Sequence, residues 1–200
     1  FAFIAGDAWK VLQPHQSHDV GEVNGEALSA QDYQNLVEEY TEVVKFSRGT
    51  SALTDEENNQ IKDEVWRNYV NNKLIENEAK KLGISVSKAE IQAIIDAGVH
   101  PMLQQTPFRN PQTGAFDKDM LKKFLVDYSK MNTAQMPAQY AEYYQSMYKF
   151  WSFLEKQLIQ NRLAEKYQAL VSKSLFSNPV EAQVAFDARV DQSDLLLAAI

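Results

Sequence analysis

The sequence predicts a mainly α-helical protein built on one long helix, with a small β-hairpin near its start. Three observations carry that prediction. Gly and Pro number only 7 and 6 in 200 residues, so few positions interrupt a helix. Apolar residues recur at three- and four-residue steps through much of the chain, which is the spacing of one helix face. Two complete capping boxes, Thr54-Asp-Glu-Glu57 and Ser87-Lys-Ala-Glu90, mark helix starts.

Phe1-Ala-Phe-Ile-Ala-Gly6 is an apolar run, too short to cross a bilayer, which takes roughly 20 residues. It reads either as a buried terminal strand or turn, or as the trailing end of a transmembrane helix. In the second case Trp9 and Lys10 sit at the water interface. Gln13 to Asp19 is polar and irregular, as a linker is. Val20 to Val23 and Glu26 to Leu28 flank Asn24-Gly25, a pair that accepts positive φ at both turn positions and so signals a hairpin.

Ser29 reads as the N-cap of the first helix, with Asp32 completing part of a capping box. Tyr33, Leu36, Val37, Tyr40, Val43 and Val44 form its apolar face, and Gly49 ends it. The helix after Thr54 carries a wider stripe from Ile61 to Leu82, which predicts packing on two sides, and Gly83 is its natural C′ residue. After Ser87, Ile91, Ile94 and Ile95 make a short face closed by Gly98. His100 to Asp117 is irregular, with a tight turn at Asn110-Pro-Gln-Thr-Gly114 that would bring Phe108 and Phe116 together. Asp117 caps the next helix, which bears Leu121, Phe124, Leu125 and Tyr128.

Pro137 suits the first turn of a helix. Helical spacing then holds from Tyr140 to Val171, with no breaker before Pro179. A helix of about 35 residues is roughly 50 Å long, too long for a small bundle unless other elements dock along it. A short helix is expected from Val180 to Arg189. Asp194 to Ile200 reads as a strand pairing with the hairpin near residue 20.

Composition excludes several functions. Acidic residues outnumber basic ones 27 to 20, so the chain lacks the overall basic balance of a nucleic-acid binder. Cys is absent, which removes thiol catalysis, disulfides and thiolate metal sites. His15 and His18 beside Asp19 lie in the linker without an H-E-x-x-H pattern, and His100 lies in a loop, so none is read as a metal ligand. The pairs Glu38/Glu39, Glu56/Glu57 and Asp117/Asp119 are explained as caps and solvated faces. No phosphate-cradling Gly-rich loop and no Gly-x-Ser-x-Gly occurs. The chain calls for no cofactor, and no catalytic residue is assigned.

The run from Met131 to Phe153 carries the functional reading. It holds Met131, Met136, Met147, four Tyr, two Phe and Trp151. Ordinary core packing accounts for most of them. Yet Tyr140, Tyr143, Tyr144, Met147, Tyr148, Phe150, Trp151 and Phe153 cannot share one helix face. Some must meet a neighbour, a second subunit or solvent. Exposed Met and aromatic side chains suit a surface that accepts many sequences. These eight residues, with Phe108 and Phe116, are the candidate binding residues.

Three stretches also resemble a known family. Val20-Gly-Glu-Val-Asn-Gly-Glu-Ala-Leu-Ser29 is similar to the start of the N-terminal domain of SurA- and PpiD-type periplasmic folding factors. Val65 to Ala79, followed by Leu82 to Ile91, is the most specific part, in register with the Phe-rich turn at 107–117. The likeness covers nearly the whole chain and looks most like the variety in Bacteroidetes-like bacteria. It implies 1–19 as the end of a membrane anchor and linker, and 20–200 as a helical chaperone domain on the periplasmic face of the inner membrane. Its partners would be unfolded or newly translocated envelope polypeptides. It also implies a parvulin-type prolyl isomerase domain elsewhere in the parent protein, because no parvulin signature lies within these 200 residues. Two other readings remain: a dimerisation or scaffolding module that forms a homodimer through the long helix, and a fragment that is itself a prolyl isomerase.

Overall fold

The computed structural model describes residues 19–132, 135–176 and 183. The expected anchor and linker, the helix at 180–189 and the strand at 194–200 lie outside the described residues, apart from Asp19 and Gln183. The chain is mainly helical with one two-stranded antiparallel sheet, as the sequence predicts.

Strands β1 (Asp19–Val23) and β2 (Glu26–Ser29) pair antiparallel, with Val23 opposite Glu26 and Gly21 opposite Leu28. Asn24 and Gly25 turn between them at φ 52° and 84°, the double positive φ that this dipeptide was expected to supply. A lone hairpin is marginal in water, and this one is docked. Val23 and Leu28 are buried, and the Trp66 indole lies directly on Gly21. A Cβ at Gly21 would collide with Trp66 Cη2 and stand 3.0 Å from Cζ2. Tyr33 meets the indole edge-on at 6.3 Å, and Tyr69 stacks on it at 6.2 Å. Lys73 Nζ, 2.8 Å from a Glu26 carboxylate oxygen, ties the turn end to the second helix.

Helix α1 (Ala30–Arg48) starts where Ser29 Oγ accepts from the Asp32 N–H at 3.0 Å. It ends at Gly49, φ 64°, where the Thr50 N–H reaches back to the Lys45 carbonyl at 3.1 Å. Helices α2 (Asp55–Lys81) and α3 (Lys88–Ala97) start on the two full capping boxes. Helix α4 (Lys118–Lys130) is capped by Asp117, whose carboxylate accepts from the Asp119 and Met120 N–H groups. Helix α5 (Ala138–Phe176) runs 39 residues, or about 58 Å.

The main core is a stripe on α5, Phe150, Trp151, Leu154 and Leu158, into which Val43 of α1, Ile91 and Ile95 of α3, Leu121 of α4 and Phe108 project. A satellite cluster of Val37, Ile61 and Val65 joins α1 to α2. The segment between α3 and α4 is fixed despite its irregular backbone. Leu103 is fully buried, and the Gln104 side chain donates to the Gly98 carbonyl at 2.5 Å and accepts from the Phe116 N–H at 3.3 Å. His100 Nδ1 accepts from the Met102 N–H at 3.3 Å, so its role is structural.

Polar contacts set the register of α5. Lys149 lies 2.6 Å from Glu42 and Lys156 2.6 Å from Glu39, both of α1, and Gln160 donates to Glu76 of α2 at 2.6 Å. Lys166 donates to both carboxylate oxygens of Glu90 at 3.1 Å. Exposed pairs contribute roughly 0–1 kcal/mol each; they position the spine more than they stabilise it. Glu90 serves twice, as the capping-box acid of α3 and as the anchor for α5.

Two outcomes follow from these contacts. Gly21→Ala is expected to lower unfolding free energy by about 1–3 kcal/mol and to red-shift Trp emission as the hairpin lifts off; a urea melt read by fluorescence checks both. The Ser87 amide and the Lys166 ammonium hold the Glu90 carboxyl down to about 2 from its ordinary 4.5. A depressed carboxylate stabilises the fold fully above the unfolded value and loses that contribution as pH falls through the folded one. Glu90→Gln should therefore be less stable than the parent at pH 7, with the gap closing between pH 4.5 and about 2, in urea melts across that range.

Candidate functional site

The candidate residues divide into three groups. Phe108, Phe150 and Trp151 are 3%, 7% and 3% exposed. They are core residues, which corrects the expectation that they belong to an accessible surface. The reason is geometric: Phe150 and Trp151 lie one helical turn before Leu154 and so belong to the α5 stripe, and Phe108 fills the space between them and α4. The turn at 110–114 forms as expected, with Gly114 donating to the Asn110 carbonyl at 2.8 Å and a single bridge joining Arg109 to Phe116. Its two rings part company. Phe108 packs on Phe124 at 5.2 Å and on Trp151 at 6.1 Å, while half-buried Phe116 lies beside Gly98.

Tyr140, Tyr143 and Tyr148 form the second group, at 53%, 51% and 41% exposed. Tyr144, Met147 and Phe153 are half-buried and form the third. Tyr140 has no ring contact among the described residues, whereas the other two exposed rings, Tyr143 and Tyr148, belong to one network with the buried ones. From Trp151 it passes through Phe108 to Phe124, then through Tyr128 to Tyr148, the last pair stacked at 4.4 Å and 12°. A branch runs from Phe124 through Tyr144 and Tyr143 to Phe46. Each such pair adds roughly 0.5–1.5 kcal/mol beyond its buried area. Exposed tyrosines at the end of a packed chain are held still, so they present apolar area at little further entropic cost.

Tyr128 was read from the sequence only as part of a helix face, and Phe46 was not read as a site residue. For Tyr128 a signal existed: Phe124 and Tyr128 step by four, as do Tyr144 and Tyr148, and the structure zips the two pairs together. For Phe46 none did, because its partner lies 97 positions away.

Tyr148 also borders a cleft of about 750 Å³ between α3, α4 and α5, floored by Ile95, Leu121, Leu125 and Trp151. Its rim is charged with both signs, including the 3.6 Å pair of Lys118 with Asp96. The volume lies in the roughly 300–1,000 Å³ range of ligand pockets. Lys118 and Asp96 are half exposed, and Asp119, Lys122 and Glu155 have no ion-pair partner among the described residues. Among the described residues no group of three or more His, Asp or Glu side chains is placed to hold a metal ion. No described helix is long and apolar enough to cross a membrane.

Truncation separates the groups. Trp151→Ala should cost about 3–5 kcal/mol, whereas Tyr140→Ala should stay within about 0.5 kcal/mol of the parent, both read from urea midpoints.

Comparison with known proteins agrees with this architecture. The model of the SurA-like N-terminal domain family matches residues 1–125. The match takes in the hairpin, α1, α2, α3, the Phe108–Phe116 turn and part of α4, and stops before α5. No curated protein matches. No solved structure matches either. With well over half its length covered and a hairpin-plus-helices fold in place, the chain belongs to the SurA-like N-terminal domain family, as a chaperone-type module.

Proposed function

We propose that the chain binds unfolded or newly translocated envelope polypeptides through the aromatic band of α5. The observation that carries this reading is the pair of exposed rings at Tyr143 and Tyr148, continuous with a buried aromatic network, with exposed Tyr140 beside them on α5. Tyr combines an apolar ring with a polar tip and imposes no single complementary shape. Met147 beside it adapts to different partners. A surface of this kind favours weak contact with many sequences over tight contact with one.

The wider setting belongs to the same proposal. The sequence likeness to PpiD-type members, including those of Bacteroidetes-like bacteria, supports a parent protein on the periplasmic face of the inner membrane. In that setting an upstream anchor tethers the module and a parvulin-type isomerase domain accompanies it. A full-length reading frame with about 20 apolar residues upstream and a downstream parvulin signature would support it; neither being present would overturn it. The exposed band also favours a second reading, self-association into a homodimer through α5. Sedimentation at increasing concentration separates the two, since a monomer at every concentration removes the dimer.

The client reading is tested by Tyr140→Ser with Tyr143→Ser. At equal molar ratio to an aggregating unfolded client, and well below its own melting temperature, which the loss of the Tyr143 pairs with Phe46 and Tyr144 should lower, the double variant should suppress aggregation several-fold less well than the parent. Full suppression by the variant would exclude the band as the client surface.

A further inference from the structure

A second cleft lies between α1, α2 and α5, and its lining differs in kind. Asn68 and Asn72 of α2, one helical turn apart, and Gln157 and Gln160 of α5 line it together with Tyr40 and Phe153. The side chains of Asn68, Asn72 and Gln157 have no hydrogen-bond or ion-pair partner among the described residues. Gln160 has half of one. Its Nε2 donates to Glu76 at 2.6 Å, while its Oε1 is buried with no donor. Glu76 fixes that orientation, because a carboxylate can only accept. That oxygen is enclosed by protein and does not face the open cleft, so the amides free to meet a ligand are those of Asn68, Asn72 and Gln157.

Charge narrows the ligand. Lys156 is already paired with Glu39 at 2.6 Å, and Lys73 with Glu26 at 2.8 Å and Glu76 at 3.7 Å. No ammonium at this cleft is left for an anion. What remains free, beside the Tyr69 hydroxyl, is amide: donors and acceptors of the same kind as a peptide group. Beside them Tyr40 and Phe153, 5.4 Å apart, provide an apolar wall. The volume, about 290 Å³, is small for a helix, which is about 10–12 Å across with its side chains. It suits one apolar side chain with the peptide groups on either side.

We infer that this cleft captures the backbone of a short, extended, uncharged peptide segment. Asn72 and Gln157 bond neighbouring peptide groups, and the Tyr40–Phe153 wall takes one apolar side chain. The inference rests on the chaperone reading for its class of ligand, but not on the aromatic band. It supplies what that band lacks, recognition of main chain independent of sequence.

The test is a titration of the 200-residue chain, with labelled side-chain amides followed by NMR. The probe is an uncharged ten-residue peptide of Gly, Ser and Ala with one central Leu. The Asn72 and Gln157 amide signals are expected to shift saturably. The double variant Asn72→Ala, Gln157→Ala should bind about tenfold more weakly with an unchanged melting temperature, since neither side chain has a partner to lose. The same peptide N-methylated at and beside the Leu should lose affinity similarly. Shifts confined to Tyr140–Tyr148, or equal binding of the N-methylated peptide, would overturn the inference. Silent cleft signals beside intact aggregation suppression reject this site and leave the client proposal standing. Cleft shifts without any suppression do the reverse.

Discussion

The structure depends on the stripe of Phe150, Trp151, Leu154 and Leu158 on α5. A helix of 39 residues buries little by itself, and tertiary packing of one face must hold it in place. This stripe is where α1, α3, α4 and the loop bearing Phe108 meet. It occupies only the middle of the helix. From Ile159 to Ser174 no side chain is buried, and the helix is guided there by Gln160, Arg162 and Lys166 toward Glu76 and Glu90. Apolar burial fixes that α5 packs, and polar contacts fix where along its length each partner sits. The hairpin is a second, smaller docking event, governed by the missing Cβ of Gly21 under Trp66.

Local chemistry made much of this fold legible. The Ser29 cap, the two capping boxes, Asn24-Gly25 and the C-terminal glycines act through hydrogen bonds within a few residues. Their sequence signature is therefore almost the structure itself, and each forms as read. The wide stripe on α2 also meant what it suggested, since Val65 packs toward α1 while Trp66, about 100° further round the helix, covers the hairpin at Gly21.

The candidate site was legible only in part. Periodicity shows which residues share a face but not which face has a partner. Phe150 and Trp151 looked like Tyr143 and Tyr144 in sequence, yet the first pair meets α1, α3 and Phe108 while Tyr143 faces water. Leu163, Tyr167 and Leu170 continue the helical pattern without being buried. The amide cleft was not read at all. Asn68, Asn72, Gln157 and Gln160 are ordinary solvent-side residues in a helix pattern, and only the approach of α5 to α2, across some 84 positions for Gln160 and Glu76, brings them together.

That distribution bears on function. Under the proposed function, the rings of Tyr140, Tyr143 and Tyr148 on one part of α5 would meet client side chains, and the amides of the cleft, Gln157 on another part of α5 with Asn68 and Asn72 of α2, would meet main chain. Phe153 lies in the cleft and Phe150 in the core between those parts. Because one helix carries both, their separation is set by its 1.5 Å rise per residue and not by a loop. An unfolded chain bridging the two would gain from their effective concentration without needing a tight contact at either. Weak contact at each site keeps release fast, and a rigid spine keeps the two contacts at a constant spacing. A long helix with its apolar stripe at Phe150–Leu158 and polar contacts further along would meet both demands of the proposed function.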